Sequence, residues 1–421
     1  MRDLLDEEAR TLRGIEDVAR NLAQVFGYRE VITPVMEPYE LLAAKIGEEN
    51  RERMYVFEDL GGRKVALRPE FTASIARLVA TKMMTVPKPI RLFCTGSLYR
   101  YDEPQFGRYR EFWQANYELM GSNRAEADAE AIVLTEEFMR RLQLRNYYFK
   151  VGHVGILRGI LKEEGIQETD QNNVMQLLDK KQWDAALALV KNISSSKRCL
   201  ETLKELFETR GNDTAQVIGD VRSIVKDYES AHAAAENLND ILNLLSESGM
   251  GSNPLVEARF ARGLEYYTGI IFEVYVPDVD VALAGGGRYD GLIELFGGEP
   301  TPAVGVALGL DRLMLAVNKQ KTFEKTATEN RVLVIPVNED LRGKAFEVSS
   351  KLRESGISVE VEVMGRTVSK TLSDADRRGI THVVIVAPKE LKEAKVVFRI
   401  MDRKEQKILS VEEVLQELTI D

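Results

Sequence analysis

Residues 98–119 read LYRYDEPQFGRYREFWQANYEL, and this stretch decides the fold more than any other part of the chain. Its two ends have the aromatic, alternating composition of strands, and the Pro and Gly between them predict a connecting loop. Arg100, Arg108 and Arg110 are gathered around that loop. Guanidinium groups bind phosphate oxygens through paired N–H donors and keep their charge. The stretch therefore predicts either a phosphate-binding hairpin or a surface hairpin whose arginines pair with neighbouring carboxylates, and charge alone favours neither.

The returning strand of this predicted hairpin has one polar face. Gln114, Asn116 and Glu118 alternate with apolar residues, so their side chains share one side of the sheet. Such a face either meets water, which is the commoner outcome, or lines a polar pocket.

Three further clusters carry groups suited to ligand binding. Glu70 and Thr72 lie at a predicted strand-to-helix junction, where they either hold a substrate ammonium group or cap a helix N-terminus. The segment RGLEYYTG at 262–269 combines an arginine, adjacent tyrosines and two glycines. GGGRYD at 285–290 and GVALGLDRL at 305–313 are glycine-rich, and a bare backbone leaves room for a small ligand. Neither has the glycine pattern of a dinucleotide site or a P-loop.

Periodicity predicts two domains, the first of them interrupted. Residues 1–165 predict helices and a largely antiparallel sheet, and strand signals return at 251–320. Between them, residues 166–250 predict successive polar helices and therefore a helical insertion. After a polar segment at 319–330, residues 331–421 alternate strand and helix as βαβαβ, which predicts a small α/β domain with a mainly parallel sheet.

The composition is that of an ordinary soluble globular protein, with 44% hydrophobic and 29% charged residues. No run approaches the roughly 18 apolar residues of a membrane span, so we expect no membrane partner. The two cysteines are too few for a disulfide framework or a cysteine-rich zinc site, so we expect a cytoplasmic protein.

The net charge of −10 argues weakly against nucleic-acid binding, which needs positive charge near phosphates. The charge is uneven, however. Residues 331–410 contain 16 Lys and Arg against 12 Asp and Glu, a net +4, whereas residues 166–250 contain 9 against 14, a net −5. Patches matter more for binding than the total, so an RNA partner is not excluded.

In order and spacing, these clusters resemble the three motifs of class II aminoacyl-tRNA synthetases, and specifically the histidyl-tRNA synthetase family. The opening helix and the strand ending at Pro34 are similar to the first motif, residues 100–118 to the second and residues 305–312 to the third. Residues 262–267 are similar to the short motif that separates the histidyl enzymes from their class II relatives. The resemblance covers nearly the whole chain. It implies an α+β fold: a class II antiparallel-sheet catalytic domain (1–165 and 251–320), a helical insertion (166–250) and a C-terminal α/β anticodon-binding domain (331–421).

The resemblance also implies a reaction, its partners and its residues. A homodimer would activate L-histidine with ATP to histidyl-adenylate and transfer it to the 3′ end of histidine tRNA, with Mg²⁺ accompanying the β- and γ-phosphates and no dedicated metal ligands. Arg100 and Arg262 would be catalytic, neutralising the α-phosphate. Histidine would be bound by Glu70, Thr72, Gln114, Glu118, Tyr266 and Tyr267. ATP would be bound by Arg100, Asp102, Arg108, Arg262 and Arg312.

Some positions depart from the family pattern. The motif-two arginine is usually followed two residues later by Glu; here that position is Asp102 with Glu103 beside it, so either could meet adenine. Glu265 replaces a more usual Asp, and Phe71 a more usual Gly. Gln105 matches a position that contacts the tRNA acceptor end. None of these departures removes a charge that the reaction needs.

Residues outside the clusters have more ordinary interpretations. None of His153, His232 and His382 lies in a cluster, and each is expected to be structural or on the surface. In the C-terminal domain, charge alone slightly favours a solvated helix whose cations pair with Asp374 and Asp376, but the resemblance places this helix and its preceding loop on the anticodon-facing surface. The cations in question are Arg366, Lys370, Arg377 and Arg378.

Related proteins of other function are the alternatives. A regulatory paralogue of the phosphoribosyltransferase that starts histidine biosynthesis shares the catalytic fold, but it lacks the C-terminal domain and the motif at 262–267. A binding-only domain fused to a stress kinase would need a kinase segment, which this sequence does not contain. Threonyl, prolyl and glycyl synthetases share the motifs and the C-terminal domain, but the pair Glu118 and Tyr267 argues against them.

Overall fold

The computed structural model describes residues 2–103, 107–251, 253–277, 279–323 and 331–420. They form two compact units that divide at residue 323, so most of the predicted linker at 319–330 lies outside the described residues. Within these ranges no helix is both long and apolar enough to cross a bilayer.

The first unit contains most of the helices and strands. Its helices are α1 (Asp6–Val25), α2 (Tyr39–Ala43), α3 (Glu48–Glu52), α4 (Thr72–Lys82), α5 (Ala125–Arg141), α6 (Val154–Glu163), α7 (Glu168–Asp179), α8 (Trp183–Ile193), α9 (Lys197–Glu208), α10 (Thr214–Val225), α11 (Glu229–Glu247), α12 (Leu292–Leu295) and α13 (Leu310–Gln320). Its strands are β1 (Arg29–Glu30), β2 (Met36–Pro38), β3 (Val56–Glu58), β4 (Lys64–Leu67), β5 (Ile90–Tyr99), β6 (Glu111–Met120), β7 (Tyr148–His153), β8 (Arg210–Gly211), β9 (Leu255–Glu257), β10 (Ile270–Val276), β11 (Val279–Arg288) and β12 (Ala303–Gly309).

A nine-stranded sheet is the scaffold of this unit. Its strand order is β1-β5-β6-β12-β11-β10-β7-β9-β8. Within it, the six neighbouring strands β5, β6, β12, β11, β10 and β7 all pair antiparallel. Strands β2, β4 and β3 form a separate antiparallel sheet in that order. The central position of β6, β12 and β11 places the polar face of 114–118 inside the sheet rather than at its edge.

Helix α1 illustrates how the pattern forms the core. Leu12, Ile15, Ala19 and Leu22 recur every three or four residues and are all buried, so one stripe of the helix packs inward. The helix ends before Gly27, whose φ of 75° lies in the left-handed region that glycine adopts without strain.

The second unit is a five-stranded sheet covered by helices. Its elements are β13 (Arg331–Pro336), a 3₁₀ turn (Glu339–Leu341), α14 (Arg342–Glu354), β14 (Ser358–Val361), α15 (Val368–Arg377), β15 (His382–Val386), α16 (Pro388–Leu391), β16 (Val396–Ile400), β17 (Glu405–Leu409) and α17 (Val411–Ile420). Val332 and Val334 of β13 pack in one core with α14 and α17, whereas Leu333 and Ile335 pack in another with α15. Both faces of the sheet are therefore buried.

The expectation of a mainly parallel sheet in this unit was wrong. The strand order is β14-β13-β15-β16-β17, and only β13 pairs parallel, with β14 and with β15. The pairs β15–β16 and β16–β17 are antiparallel. The βαβαβ pattern described the first half correctly, but the last two strands form a hairpin, which needs no crossover helix.

Candidate active site

A polar cavity of about 310 Å³ opens over the centre of the nine-stranded sheet. This volume is within the range of small-molecule sites. All of the predicted site residues line it, although they come from widely separated parts of the chain. Those residues are Glu70, Thr72, Arg100, Asp102, Arg108, Gln114, Glu118, Arg262, Tyr266, Tyr267 and Arg312.

The floor of the cavity is made by strands whose residues alternate between small and polar. Gly305, Ala307 and Gly309 of β12 stand opposite Glu118, Asn116 and Gln114 of β6, respectively. In a sheet such partners point to the same side, so short residues on β12 leave space for the long polar side chains of β6. The polar face predicted from the sequence lines a cavity rather than an open surface.

Gly305 is the position where this fit is tightest. A Cβ atom added there would lie 1.7 Å from Oε2 of Glu118 and 2.8 Å from the Tyr117 carbonyl oxygen. Any side chain at 305 would therefore displace the Glu118 carboxylate. Glycine at this position is a requirement of close packing rather than of a turn.

The carboxylate of Glu118 is buried and held from three sides. Thr72 donates a hydrogen bond to its Oε1 at 2.8 Å, Asn116 Nδ2 donates to the same atom at 3.3 Å, and Tyr289 donates to Oε2 at 2.5 Å. Burial raises the pKa of Glu118 to about 7, although these hydrogen bonds act in the opposite direction. Glu118 is thus a positioned acceptor at the inner end of the cavity.

Glu70 is a second buried carboxylate, and it performs two tasks. Its Oε1 accepts a hydrogen bond from the Ala73 amide at 3.2 Å, and its Oε2 accepts one from the Tyr266 hydroxyl at 2.8 Å. Burial raises the pKa of Glu70, while Arg100 and Arg262 act to lower it. One oxygen therefore caps the first turn of α4, as the capping interpretation predicts, and the other contacts Tyr266 in the lining of the cavity.

Three tyrosines form the wall between the carboxylates and the arginines. The rings of Tyr266 and Tyr267 lie 5.0 Å apart, and those of Tyr266 and Tyr289 lie 5.7 Å apart in an edge-on arrangement. The hydroxyl of Tyr267 accepts a hydrogen bond from Nη1 of Arg262 at 3.2 Å. The three tyrosines thus contact the carboxylates of Glu70 and Glu118 on one side and Arg262 on the other.

The basic end of the cavity contains four guanidinium groups, those of Arg100, Arg108, Arg262 and Arg312. Nε of Arg100 donates to the Pro69 carbonyl at 3.0 Å, and Arg312 donates to the carbonyls of Gly107 and Ala282 at 3.1 and 2.8 Å. Burial and the neighbouring guanidinium groups of Arg100 and Arg108 lower the pKa of Arg312 to about 10. Four guanidinium groups gathered at one end of a cavity favour a polyanionic ligand.

Arg262 has the carboxylates of Glu273 and Asp179 beside it. Its Nε lies 3.3 Å from Oε1 of Glu273. Burial acts to lower the pKa of Arg262, but Tyr267, Glu273, Tyr266 and Asp179 together raise it. The group therefore stays charged, and its direction is set by neighbours on two sides.

The charged residues of the loop between β5 and β6 face different surroundings. Asp102 lines the cavity and lies 3.2 Å from Nη1 of Arg53, whereas Glu103 is exposed and is not part of the lining. Arg110 is directed at the loop itself: its Nε donates to the Asp102 carbonyl at 3.3 Å, and it stacks over Tyr101. Gln105 lies outside the described residues.

Sequence reasoning missed several residues that line the cavity. Tyr289 was quoted only as part of the glycine cluster, yet it contacts Glu118 directly. Glu273 and Asp179 were not singled out at all, although both line the cavity beside Arg262. The tyrosine had a usable signal, because it follows Gly285 and Gly287 at a spacing of two residues and therefore shares the face that these glycines leave bare.

The three histidines do not line this cavity. His153 is buried, where its Nδ1 accepts from the Gly155 amide at 3.2 Å and its Nε2 lies 3.1 Å from the Asn237 side-chain oxygen. Burial lowers the pKa of His153 to about 4. It therefore caps α6 as a neutral imidazole.

Comparisons with known proteins identify the family of the chain. A family model described as histidyl-tRNA synthetase matches residues 1–313, and one described as an anticodon binding domain matches residues 331–419. The histidine–tRNA ligase of Methanocaldococcus jannaschii is 38% identical over 416 residues, which are 98% of this chain and 97% of that protein.

Solved structures show the same architecture. Histidyl-tRNA synthetase from Nostoc sp. PCC 7120 superposes with a TM-score of 0.80 at 20% identity, covering 100% of this chain and 97% of that one. A Bacillus halodurans protein described as an ATP phosphoribosyltransferase regulatory subunit/histidyl-tRNA synthetase has a TM-score of 0.77 at 27% identity, covering 89% and 94%. The predicted fold, a class II catalytic domain with a C-terminal α/β anticodon-binding domain, is confirmed. Because one family model spans most of the chain and a relative well above 30% identity spans nearly all of it, the chain belongs to the histidyl-tRNA synthetase family.

Proposed function

We propose that the cavity over the central sheet is where this chain activates histidine with ATP and passes it to tRNA, the reaction of the family to which it belongs. One observation carries the assignment of the site. Two buried carboxylates and three tyrosines stand at one end of the cavity, and four arginines stand at the other. The ammonium group and polar side chain of a small amino acid suit the first end, and a nucleoside triphosphate suits the second.

At the acidic end, we assign the amino acid to the residues around Glu70 and Glu118. A neutral imidazole has one N–H donor and one acceptor nitrogen, so a selective pocket must offer a partner to each. Glu118 supplies the acceptor, and the Tyr267 hydroxyl can donate to the second nitrogen. The histidine ammonium group would lie near Glu70 and Thr72, with Gln114 beside them.

At the basic end, we assign the phosphates to the arginines. In the first step a histidine carboxylate oxygen attacks the α-phosphorus, the new C–O–P linkage forms, and the bond to pyrophosphate breaks. Charge grows on the phosphate oxygens as this happens, and preorganised donors stabilise it. Arg100 and Arg262 would hold the α-phosphate, and Arg108 and Arg312 the outer phosphates. Asp102 is the better candidate for adenine, because Glu103 points to solvent.

In the second step a hydroxyl of the tRNA 3′-terminal ribose attacks the carbonyl carbon of the adenylate, and AMP leaves. The match of residues 331–419 to an anticodon binding domain supports a role for the second unit in selecting the tRNA. Carboxylates partly neutralise the positive charge of the helix and loop that resemble the anticodon-facing surface. Arg366, Arg377 and Arg378 all lie within 4 Å of Asp374, and Arg378 also contacts Glu360.

We propose that Mg²⁺ enters with ATP. Mg²⁺ prefers phosphate oxygens and water and needs only one or two protein carboxylates. Among the described residues there is no group of three or more His, Cys, Asp or Glu side chains that could hold a metal. The contribution of Mg²⁺ would be to neutralise phosphate charge as pyrophosphate departs.

We also propose a homodimer, for which the small sheet β2-β4-β3 is the best surface. Met36 of β2 and Val56 and Phe57 of β3 are exposed, as are Ile32 and Val35 just before β2. Several exposed large apolar residues on one small sheet are unusual for a monomer. Sedimentation of the parent and an Ile32→Asp variant would test this, because the charged side chain should shift the equilibrium toward monomer.

Two further assignments complete the proposal. We keep the division of the first unit into residues 1–165, 166–250 and 251–320, which the five helices α7–α11 between residues 168 and 247 support. We place the protein in the cytoplasm, since Cys94 and Cys199 are both free and buried and neither depends on an oxidising compartment.

Exchange of labelled pyrophosphate into ATP tests the assignment of function. We expect exchange that depends on histidine and is absent with the other nineteen common amino acids, followed by transfer of labelled histidine to histidine tRNA. Histidine binding without exchange would indicate a regulatory or binding-only protein, and exchange driven by threonine, proline or glycine would indicate another class II specificity.

A further inference from the structure

The C-terminal end of helix α7 reaches the cavity, although α7 belongs to the helical insertion. Asp179, its last residue, lines the cavity together with Arg262, Gly263 and Glu273. Its side chain remains accessible to solvent, at the mouth of the cavity. The insertion therefore contributes a carboxylate to the site, which its polar helical sequence did not indicate.

Gly263 is held between Asp179 and Gly47. A Cβ atom added to Gly263 would lie 2.7 Å from Oδ2 of Asp179, and one added to Gly47 would lie 2.8 Å from the Gly263 carbonyl oxygen. The Asp179 carboxylate therefore lies directly against the backbone of Gly263. The peptide that follows Arg262 is thus fixed from two sides, one of them supplied by the insertion.

The residue next to Asp179 anchors the same helix end to the first part of the catalytic domain. Nζ of Lys180 lies 2.9 Å from Oε2 of Glu49, whose Oε1 lies 2.5 Å from Arg53, and Arg53 lies 3.2 Å from Asp102. Each of these pairs is partly exposed and weak by itself. Together with Asp179 they join the end of α7 to both the Arg262 side and the Asp102 side of the cavity.

We propose that Asp179 is a positioning residue for adenylation, which holds the Gly263 peptide so that Arg262 points at the α-phosphate. The helical insertion is then part of the ATP site, and its docking determines whether Arg262 is aligned. The inference rests on the proposed role of Arg262. It depends on the packing of the Asp179 side chain against the Gly263 backbone, so a neutral side chain of the same shape should serve nearly as well.

The test compares Asp179→Ala with Asp179→Asn in single-turnover adenylation, with Asp220→Ala as the matched control. Asp220 is an exposed carboxylate on α10 of the same insertion. Small misplacements of a catalytic group can cost up to about 10²-fold in rate. We expect Asp179→Ala to lower kcat about 10-fold with the histidine KM unchanged, and both Asp179→Asn and Asp220→Ala to stay within about threefold of the parent. Thermal unfolding midpoints of all variants should agree within a few degrees.

A double-mutant comparison separates this inference from the proposed function. If Asp179 acts through Arg262, Asp179→Ala should cost little in a chain that already carries Arg262→Lys. Additive losses, equal losses in Asp179→Ala and Asp179→Asn, or a parental kcat in Asp179→Ala would each overturn the inference. Full activity of Arg262→Lys and Arg262→Ala would instead remove the proposed role of Arg262 itself.

Discussion

Replacing Glu118 tests whether this carboxylate recognises the imidazole of histidine. Glu118 is 1% exposed and already accepts hydrogen bonds from Thr72, Asn116 and Tyr289. Glu118→Ala removes the acceptor and leaves these donors unsatisfied, whereas Glu118→Gln keeps the volume and one acceptor oxygen but removes the charge. The two variants therefore separate the contribution of the charge from that of the shape.

The expected magnitude follows from the strength of one charged hydrogen bond. Such bonds contribute roughly 1.5–3 kcal/mol, and neutral ones roughly 0.5–1.5 kcal/mol. Since about 1.4 kcal/mol is a factor of ten, Glu118→Ala should raise the histidine Kd about 10- to 150-fold. Glu118→Gln should retain a neutral hydrogen bond and raise the Kd roughly 5- to 10-fold. We assign the phosphates to other residues, so kcat at saturating histidine should fall by much less.

Titration calorimetry for binding and histidine-dependent pyrophosphate exchange for turnover would measure these effects. Tyr289→Phe is the matched control, because it removes one hydrogen bond to Glu118 but leaves the carboxylate in place. It should weaken histidine binding by less than Glu118→Ala does. If histidine saturates Glu118→Ala as readily as it saturates the parent, the imidazole binds elsewhere and the assignment of the acidic end is wrong.

Four other perturbations probe separate parts of the structure. Arg262→His should lower the adenylation kcat by roughly 10²-fold or more while histidine binding changes little, and normal single-turnover adenylation would remove its role. A fragment ending at Phe323 should keep pyrophosphate exchange but charge full-length tRNA poorly, with a smaller loss on a minihelix without an anticodon; equal charging by fragment and parent would contradict anticodon reading by the second unit. Gly305→Ala should weaken histidine binding and spare ATP binding, because its Cβ would lie 1.7 Å from the Glu118 carboxylate; calorimetry would check both. His153 has a pKa of about 4 in the fold against roughly 6.5 when unfolded, so only the unfolded chain takes up a proton as the pH falls below 6.5. Between pH 7.5 and 5 the parent should therefore lose roughly 2 kcal/mol more unfolding free energy than His153→Asn, and parallel denaturation curves would refute this.

Most of the fold was predictable because its signals are local. The strands of the 98–119 hairpin, the insertion helices and the first half of the second unit each have a clear period of two or of three to four residues. The expected strand at 30–34 was wrong in extent, since β1 ends at Glu30. β7 and the β16–β17 hairpin were not predicted, although Val396–Ile400 alternates buried and half-buried residues as an amphipathic strand should.

The candidate site was predictable where a side chain's chemistry is unusual for its position. A glutamate on one face of a largely buried strand and arginines around a loop need explanation, and Glu118, Arg100 and Arg108 line the cavity. Solvated and ligand-facing strands share one alternation, however, and only packing distinguishes them. For Glu118 the deciding contacts come from Thr72 and Tyr289, which are 46 and 171 residues away in sequence.

The sequence could not predict that the insertion contributes Asp179 to the cavity, because the contact depends on tertiary packing and not on any local pattern. Asp179 ends an ordinary amphipathic helix, and an aspartate there has nothing that marks it as different from other acidic residues of the insertion. Its significance arises only because α7 ends beside Gly263, 84 positions later in the chain, where the absence of a side chain permits the contact. Of these two residues, only Gly263 could be noticed in the sequence. A glycine beside a functional arginine indicates that another group lies close to its backbone. Gly263 and Gly305 are therefore alike, because each lies where a carboxylate distant in sequence, Asp179 or Glu118, leaves no space for a side chain.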